Sequence, residues 1–230
     1  MKGIIFVLHG RRTGSVGVNL QLIDSICQAI KLPASLGLLE GNQHTLEQAV
    51  EELQQQNVSA IIFVPVLLFP ATHVQKDLPH RVKNCLKDQL PYQILAPLGT
   101  TQAVEDFLVM QSRRTAKKTI LLIAHGTPHD EASYQQLEQI AKKVAQRTAK
   151  TIIPTQYLGS HPYQRVLKNQ PACGIQRLFL TEGAIANKIK AEIVAIRGNQ
   201  DDFLATLENS AELKQAILER LEQSDVSDFN

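Results

Sequence analysis

The sequence predicts an α/β protein made of two similar tandem domains, each a parallel sheet flanked by helices. Three observations carry that expectation. Two apolar runs, "IIFVLHG" at residues 4–10 and "TILLIAHG" at residues 119–126, end alike in His-Gly about half of the 230-residue chain apart, as a duplicated unit would. Each run is followed by the same order of helical and strand-like segments. Strands that alternate with helices argue for parallel pairing, with the helices packed on the sheet faces.

Taken in order, the first run is a short, continuous apolar stretch followed by "RRTGS", and it reads as a buried strand that delivers its last side chain to a loop. A helical segment "VNLQLIDSICQAIK", a strand "ASLGLLE", a helix "HTLEQAVEELQQQ" and a strand "AIIFVPVLLF" follow. In the second half, "TILLIAHG" leads into a helix "DEASYQQLEQIAKKVAQRT", a strand "TIIPTQYLG", a short helix "YQRVLKN" and a strand "IQRLFLTEG". The basic run "RRTAKK" at 113–118 marks the boundary, giving domains 1–114 and 115–230. Residues 202–223 are helical by periodicity.

Composition narrows the function classes. The chain is 43% hydrophobic and 20% charged, with no apolar run long enough to span a bilayer. Lys2 alone before a short strand is too little for a secretory signal, so a cytoplasmic protein is expected. Three scattered cysteines make neither a disulfide framework nor a CxxC metal site. A net charge of only +2, with no Trp, gives no sign of a nucleic-acid surface.

In open α/β sheets, ligands sit outside the carboxyl ends of the strands. Three strands of the first half each send one polar residue to that rim: His9, Glu40 and His73. Two imidazoles and a carboxylate suit a divalent transition metal, and they suit a proton-removal step. Each residue alone has a structural explanation, as a core histidine, a solvated loop carboxylate or a helix-start residue; the coincidence of three carries the functional reading. "HGRRTGSVG" has neither GxGxxG spacing nor a P-loop ending, which argues against a phosphate cradle.

The motifs "FVLHG", "LLEGNQHTLEQAVEEL" and "IIFVPVLLFPATHVQKDLP", in this order and spacing, resemble the sirohydrochlorin chelatases. The second half, with "LLIAHGTPHDEA", is similar to the same family, so the likeness is to its long, two-domain, chelatase-like form. The resemblance implies ATP-independent insertion of Co²⁺ or Fe²⁺ into sirohydrochlorin, in cobalamin or sirohaem synthesis. His9 and His73 would handle the metal and Glu40 would be their acidic partner.

No cofactor is expected beyond the substrate metal, with Ni²⁺ also accommodated by such ligands. The substrate is a polycarboxylate, and Arg11, Arg12 and Lys76 are the candidate cations, with Lys188 in the matching place of the second half. Aligning the halves sets His125 opposite His9, Leu158 opposite Glu40 and Ile185 opposite His73. A single active site in the first domain follows, with the second domain forming the other wall of its cleft. His44, His80, His129 and His161 are expected to be bystanders. A fused pair needs no second chain, so a monomer is expected, with no nucleic-acid or membrane partner. The competing reading is a non-catalytic carrier of metal or tetrapyrrole.

Overall fold

A computed structural model describes residues 1–10, 19–70, 76–87, 89–129 and 131–224. Its first sheet is built on β1 (Lys2–Gly10), in which Ile4, Ile5, Phe6 and Val7 are all fully buried. Burial of consecutive residues means that both faces of the strand are covered, the pattern of a central parallel strand. It is flanked by β2 (Ala34–Glu40) and β3 (Ala60–Pro65), and β4 (Tyr92–Ile94) completes the parallel order β2-β1-β3-β4. The strands are connected through α1 (Leu20–Ala29), α2 (Leu46–Gln55) and α3 (Leu78–Leu86). Ile5 and Val7 join Leu46, Leu53, Leu78 and Val82 in one core cluster, so α2 and α3 pack on the face that these odd-numbered β1 residues present.

The start of α2 is fixed by a capping box. The Thr45 hydroxyl accepts from the Gln48 amide at 3.2 Å, and the Gln48 side chain accepts from the Thr45 amide at 2.9 Å, which satisfies two otherwise orphaned N–H groups.

After α4 (Gln102–Arg113), the second sheet repeats the plan with β5 (Thr119–Ala124), α5 (Ala132–Thr148), β6 (Thr151–Gln156), α6 (Tyr163–Leu167), β7 (Gly174–Arg177), α7 (Ala184–Arg197) and β8 (Asp202–Leu204). Its order, β6-β5-β7-β8, is again all parallel. Two similar domains with parallel sheets and flanking helices are therefore present. The last helix is α8 (Ala211–Glu222).

Two details differ from the sequence reading. Each sheet has a fourth strand of three residues, too short to show a period. Residues 202–210 are not helical: Leu204 and Leu207 have helical spacing, yet Leu204 ends the short strand β8, Leu207 is buried just after it, and Asn209 has a left-handed φ of 51° just before α8.

Packing divides the chain into two compact units, Met1–Thr101 with Lys214–Asn230, and Gln102–Leu213. Helix α4 goes with the second sheet, where Glu105 meets Arg147 of α5 at 2.8 Å. Helix α8, from Lys214, goes with the first, where Arg220 donates to the Pro97 carbonyl at 2.6 and 3.0 Å. Among the described residues, no helix is long and apolar enough to cross a membrane.

Candidate active site

In the first sheet the chain runs from β1 out to β2 on one side and then crosses to β3 on the other. Connections that leave a strand pair in opposite directions open a crevice at the carboxyl ends of that pair. His9, next to last in β1, stands there. Glu40 is the last residue of β2, and its partner across the sheet is Gly10.

Gly10 explains how the two side chains meet. Its φ is +78°, and a Cβ at this position would lie 2.0 Å from the Glu40 carbonyl oxygen. Only a residue without a side chain lets the strand ends approach so closely while the chain turns away. The result places His9 Nδ1 3.8 Å from Glu40 Oε2, with side-chain exposures of 46% and 28%. This is an ion-pair separation, longer than a direct hydrogen bond. His9 Nδ1 also lies 3.4 Å from the Gly10 carbonyl oxygen.

His73, Arg11 and Arg12 lie outside the described residues. Two of the three rim residues expected from the sequence, His9 and Glu40, are thus brought together, and Lys76 is exposed just before α3. Among the described residues, no group of three or more His, Cys, Asp or Glu side chains forms a metal-binding cluster.

Sequence reasoning missed Arg81. From α3, its Nε and Nη2 donate to the two oxygens of Glu47 on α2 at 2.8 and 2.6 Å, and its Nη1 donates to the Leu39 carbonyl at 2.6 Å. The Arg81 hydrogen bond holds the Glu47 carboxyl below the usual range. These partners are 34 and 42 residues away in sequence, a separation that leaves no local pattern to read.

The second rim repeats the backbone with other side chains. Gly126 has φ +71°, and a Cβ there would meet the Leu158 carbonyl oxygen at 1.9 Å. Leu158, in the place of Glu40, is 45% exposed, and Ile185 packs against the core of its own sheet. His125 Nδ1 lies 2.8 Å from the Gly126 carbonyl oxygen. A carbonyl can only accept, so this nitrogen carries the proton. Lys188 lies over the Tyr157 ring at 5.7 Å, and its hydrogen bond with Tyr157 raises the ammonium's pKa above the ordinary value.

Three of the other histidines have local partners. The His44 carbonyl accepts from the Leu38 amide at 2.7 Å, and His80 lies 3.0 Å from the Asn84 amide nitrogen. His161 stacks on Tyr134 with ring centroids 3.6 Å apart. His129 is exposed.

Residues 3–115 match the CbiX family model. A sirohydrochlorin cobaltochelatase of Sulfurisphaera tokodaii is 27% identical over 109 residues, covering 47% of this chain and 88% of that protein. Among solved structures, SirB from Bacillus subtilis with Fe³⁺ superposes with a TM-score of 0.87 at 20% identity, covering 100% of this chain and 99% of that one. SirB from Bacillus subtilis subspecies spizizenii in complex with cobalt gives 0.83, also at 20% identity, over 96% and 94% of the two chains. The structural likeness shows a shared fold, and the family model falls on the half that carries His9 and Glu40. Residues 3–115 thus form a CbiX-family segment, similar to curated sirohydrochlorin cobaltochelatases.

Proposed function

We propose that this protein inserts Co²⁺ or Fe²⁺ into sirohydrochlorin without ATP, using His9, Glu40 and His73. The observation that carries this reading is the 3.8 Å approach of His9 to Glu40 at the carboxyl ends of adjacent strands, within the segment matched by the family model. The names of the curated relatives favour cobalt. The ligand types accommodate either ion, and Ni²⁺ as well, because imidazole and carboxylate do not separate these metals strongly.

Insertion exchanges one divalent cation for two pyrrole N–H protons, so the site must strip water from the metal and accept protons. Neutral imidazole does both, with an unperturbed pKa of about 6.5. His9 and His73 hold the ion, and Glu40 orients the His9 ring and passes protons outward. Arg11, Arg12 and Lys76 meet the substrate's carboxylates. No cofactor takes part beyond the metal being inserted. The protein works as a monomer in the cytoplasm, in sirohaem or cobalamin synthesis.

The test is anaerobic absorbance of sirohydrochlorin with Co²⁺ or Fe²⁺ and catalytic amounts of protein. Many turnovers per chain are expected from the wild type, and a rate near the uncatalysed one from a folded His73→Ala variant. Metal or tetrapyrrole bound only one-for-one, with no acceleration, would sink catalysis and leave a carrier of the same fold.

A further inference from the structure

We propose that Arg81 is a positioning residue for metal insertion, acting through Glu40; this rests on the chelatase reading above. Glu40 ends β2, an edge strand paired with β1 on one side and bonded on the other two residues earlier, where the Leu38 amide donates to the His44 carbonyl. Arg81 adds a restraint one residue from Glu40. Its Nη1 bonds the carbonyl of Leu39, immediately before Glu40, while Nε and Nη2 grip both oxygens of Glu47. A guanidinium is a rigid planar fork, so three bonds from one such group lock three elements into one geometry. Those elements are the end of β2, the first turn of α2 and α3, which begins shortly after His73 in sequence.

The second domain supplies the contrast. There α6 and α7 are joined by the Tyr163 hydroxyl donating to Glu192 at 2.5 Å, and a carboxylate has no proton to offer a strand-end carbonyl. The fork accompanies the half that keeps Glu40 and is replaced in the half that has Leu158.

Arg81→Gln and Arg81→Lys would be assayed for Co²⁺ insertion beside Arg147→Gln, which removes ion pairs to Glu105 and Asp106 within the unit Gln102–Leu213. Groups that orient metal-site residues typically affect affinity or activity by about 10- to 100-fold. Arg81→Gln is therefore expected to lower kcat about tenfold or more, with KM for sirohydrochlorin within about twofold. Arg81→Lys regains part of the loss, since ammonium keeps the charge beside Glu47 without the fork, and Arg147→Gln keeps the wild-type kcat. An unchanged kcat, a rise in KM alone, or a loss no larger than the loss of folded protein overturns the proposal.

A second readout needs no turnover: the visible absorption of Co²⁺ bound to the protein without tetrapyrrole. Arg81→Gln should change it in the same direction as Glu40→Gln. If the wild type does not turn over, the chelatase reading fails by itself, and the Co²⁺ spectrum still decides on Arg81, since an identical spectrum in wild type and Arg81→Gln overturns the positioning role.

Discussion

At the end of β1, Gly10 runs so close to the Glu40 carbonyl that no side chain fits between them, and at the end of β5, Gly126 passes the Leu158 carbonyl in the same way. Both crossings place a histidine just before the glycine. Both rings approach the following glycine's carbonyl, at 3.4 and 2.8 Å, but one also faces a carboxylate at 3.8 Å whereas the other has an exposed leucine in that place. The His-Gly pair is therefore a property of how these strands leave the sheet. What the second strand of each domain places opposite it decides the chemistry.

The sharpest way to break that comparison is to remove each histidine in turn. Loss of a positioned proton acceptor typically costs about 100-fold or more in rate, and that is the expected fall in kcat for His9→Ala. His125→Ala gives up one hydrogen bond at an exposed site, about 1 kcal/mol or less, and should stay within about threefold of wild type. Both rates are read from the anaerobic metallation assay, with thermal midpoints as the control for folding. Equal losses in the two variants would mean that both rims act in the reaction.

A gain of function sharpens the same contrast. Leu158→Glu combined with Ile185→His restores to the second rim the residue types that the first one carries. Leu158 is exposed, so its replacement should cost no more than about 0.5 kcal/mol, while Ile185 packs on the core and its loss should cost about 1–2 kcal/mol. Titration with Co²⁺ is expected to rise from one equivalent towards two, the second weaker. A titration that stays at one equivalent would show that the rims differ by more than these side chains.

Most of this architecture is legible in the sequence because its strands are buried on both faces and its helices are amphipathic. Ile4 to Val7 and Ile120 to Ile123 form apolar runs that only a covered strand needs. The alignment of the halves also agrees with the register, since Gly10 pairs with Glu40 and the Leu158 amide bonds the His125 carbonyl at 2.8 Å. Other features leave no local trace. The fourth strands are too short for a period, and the allotment of α4 and α8 depends on long-range contacts such as Arg220 to Pro97. At the site, His9 and Glu40 were visible as strand ends, whereas Arg81 gains its meaning only when α3 lies beside β2.

The smallest effect compares the two helix-to-helix contacts through pH. Glu47 is held below its ordinary pKa chiefly by the Arg81 hydrogen bond, so its contribution is present above the unfolded value, about 4.3, and is lost as pH falls through the lowered folded value. Tyr163 is pushed the other way, first by burial and then by its bond to Glu192. Its contribution is complete below the unfolded value, about 10, and is lost as pH rises through the raised folded value. The first contact therefore weakens in acid and the second in alkali. Urea midpoints measured against pH should show Glu47→Gln flattening only the acid limb and Tyr163→Phe flattening only the alkaline one. The acid change should be the smaller, because the Glu47 side chain is 50% exposed and screened by solvent whereas Tyr163 is fully buried. If Glu47→Gln left the acid limb untouched, the Arg81–Glu47 contact would contribute nothing measurable to stability, and only the bond to the Leu39 carbonyl would tie Arg81 to β2.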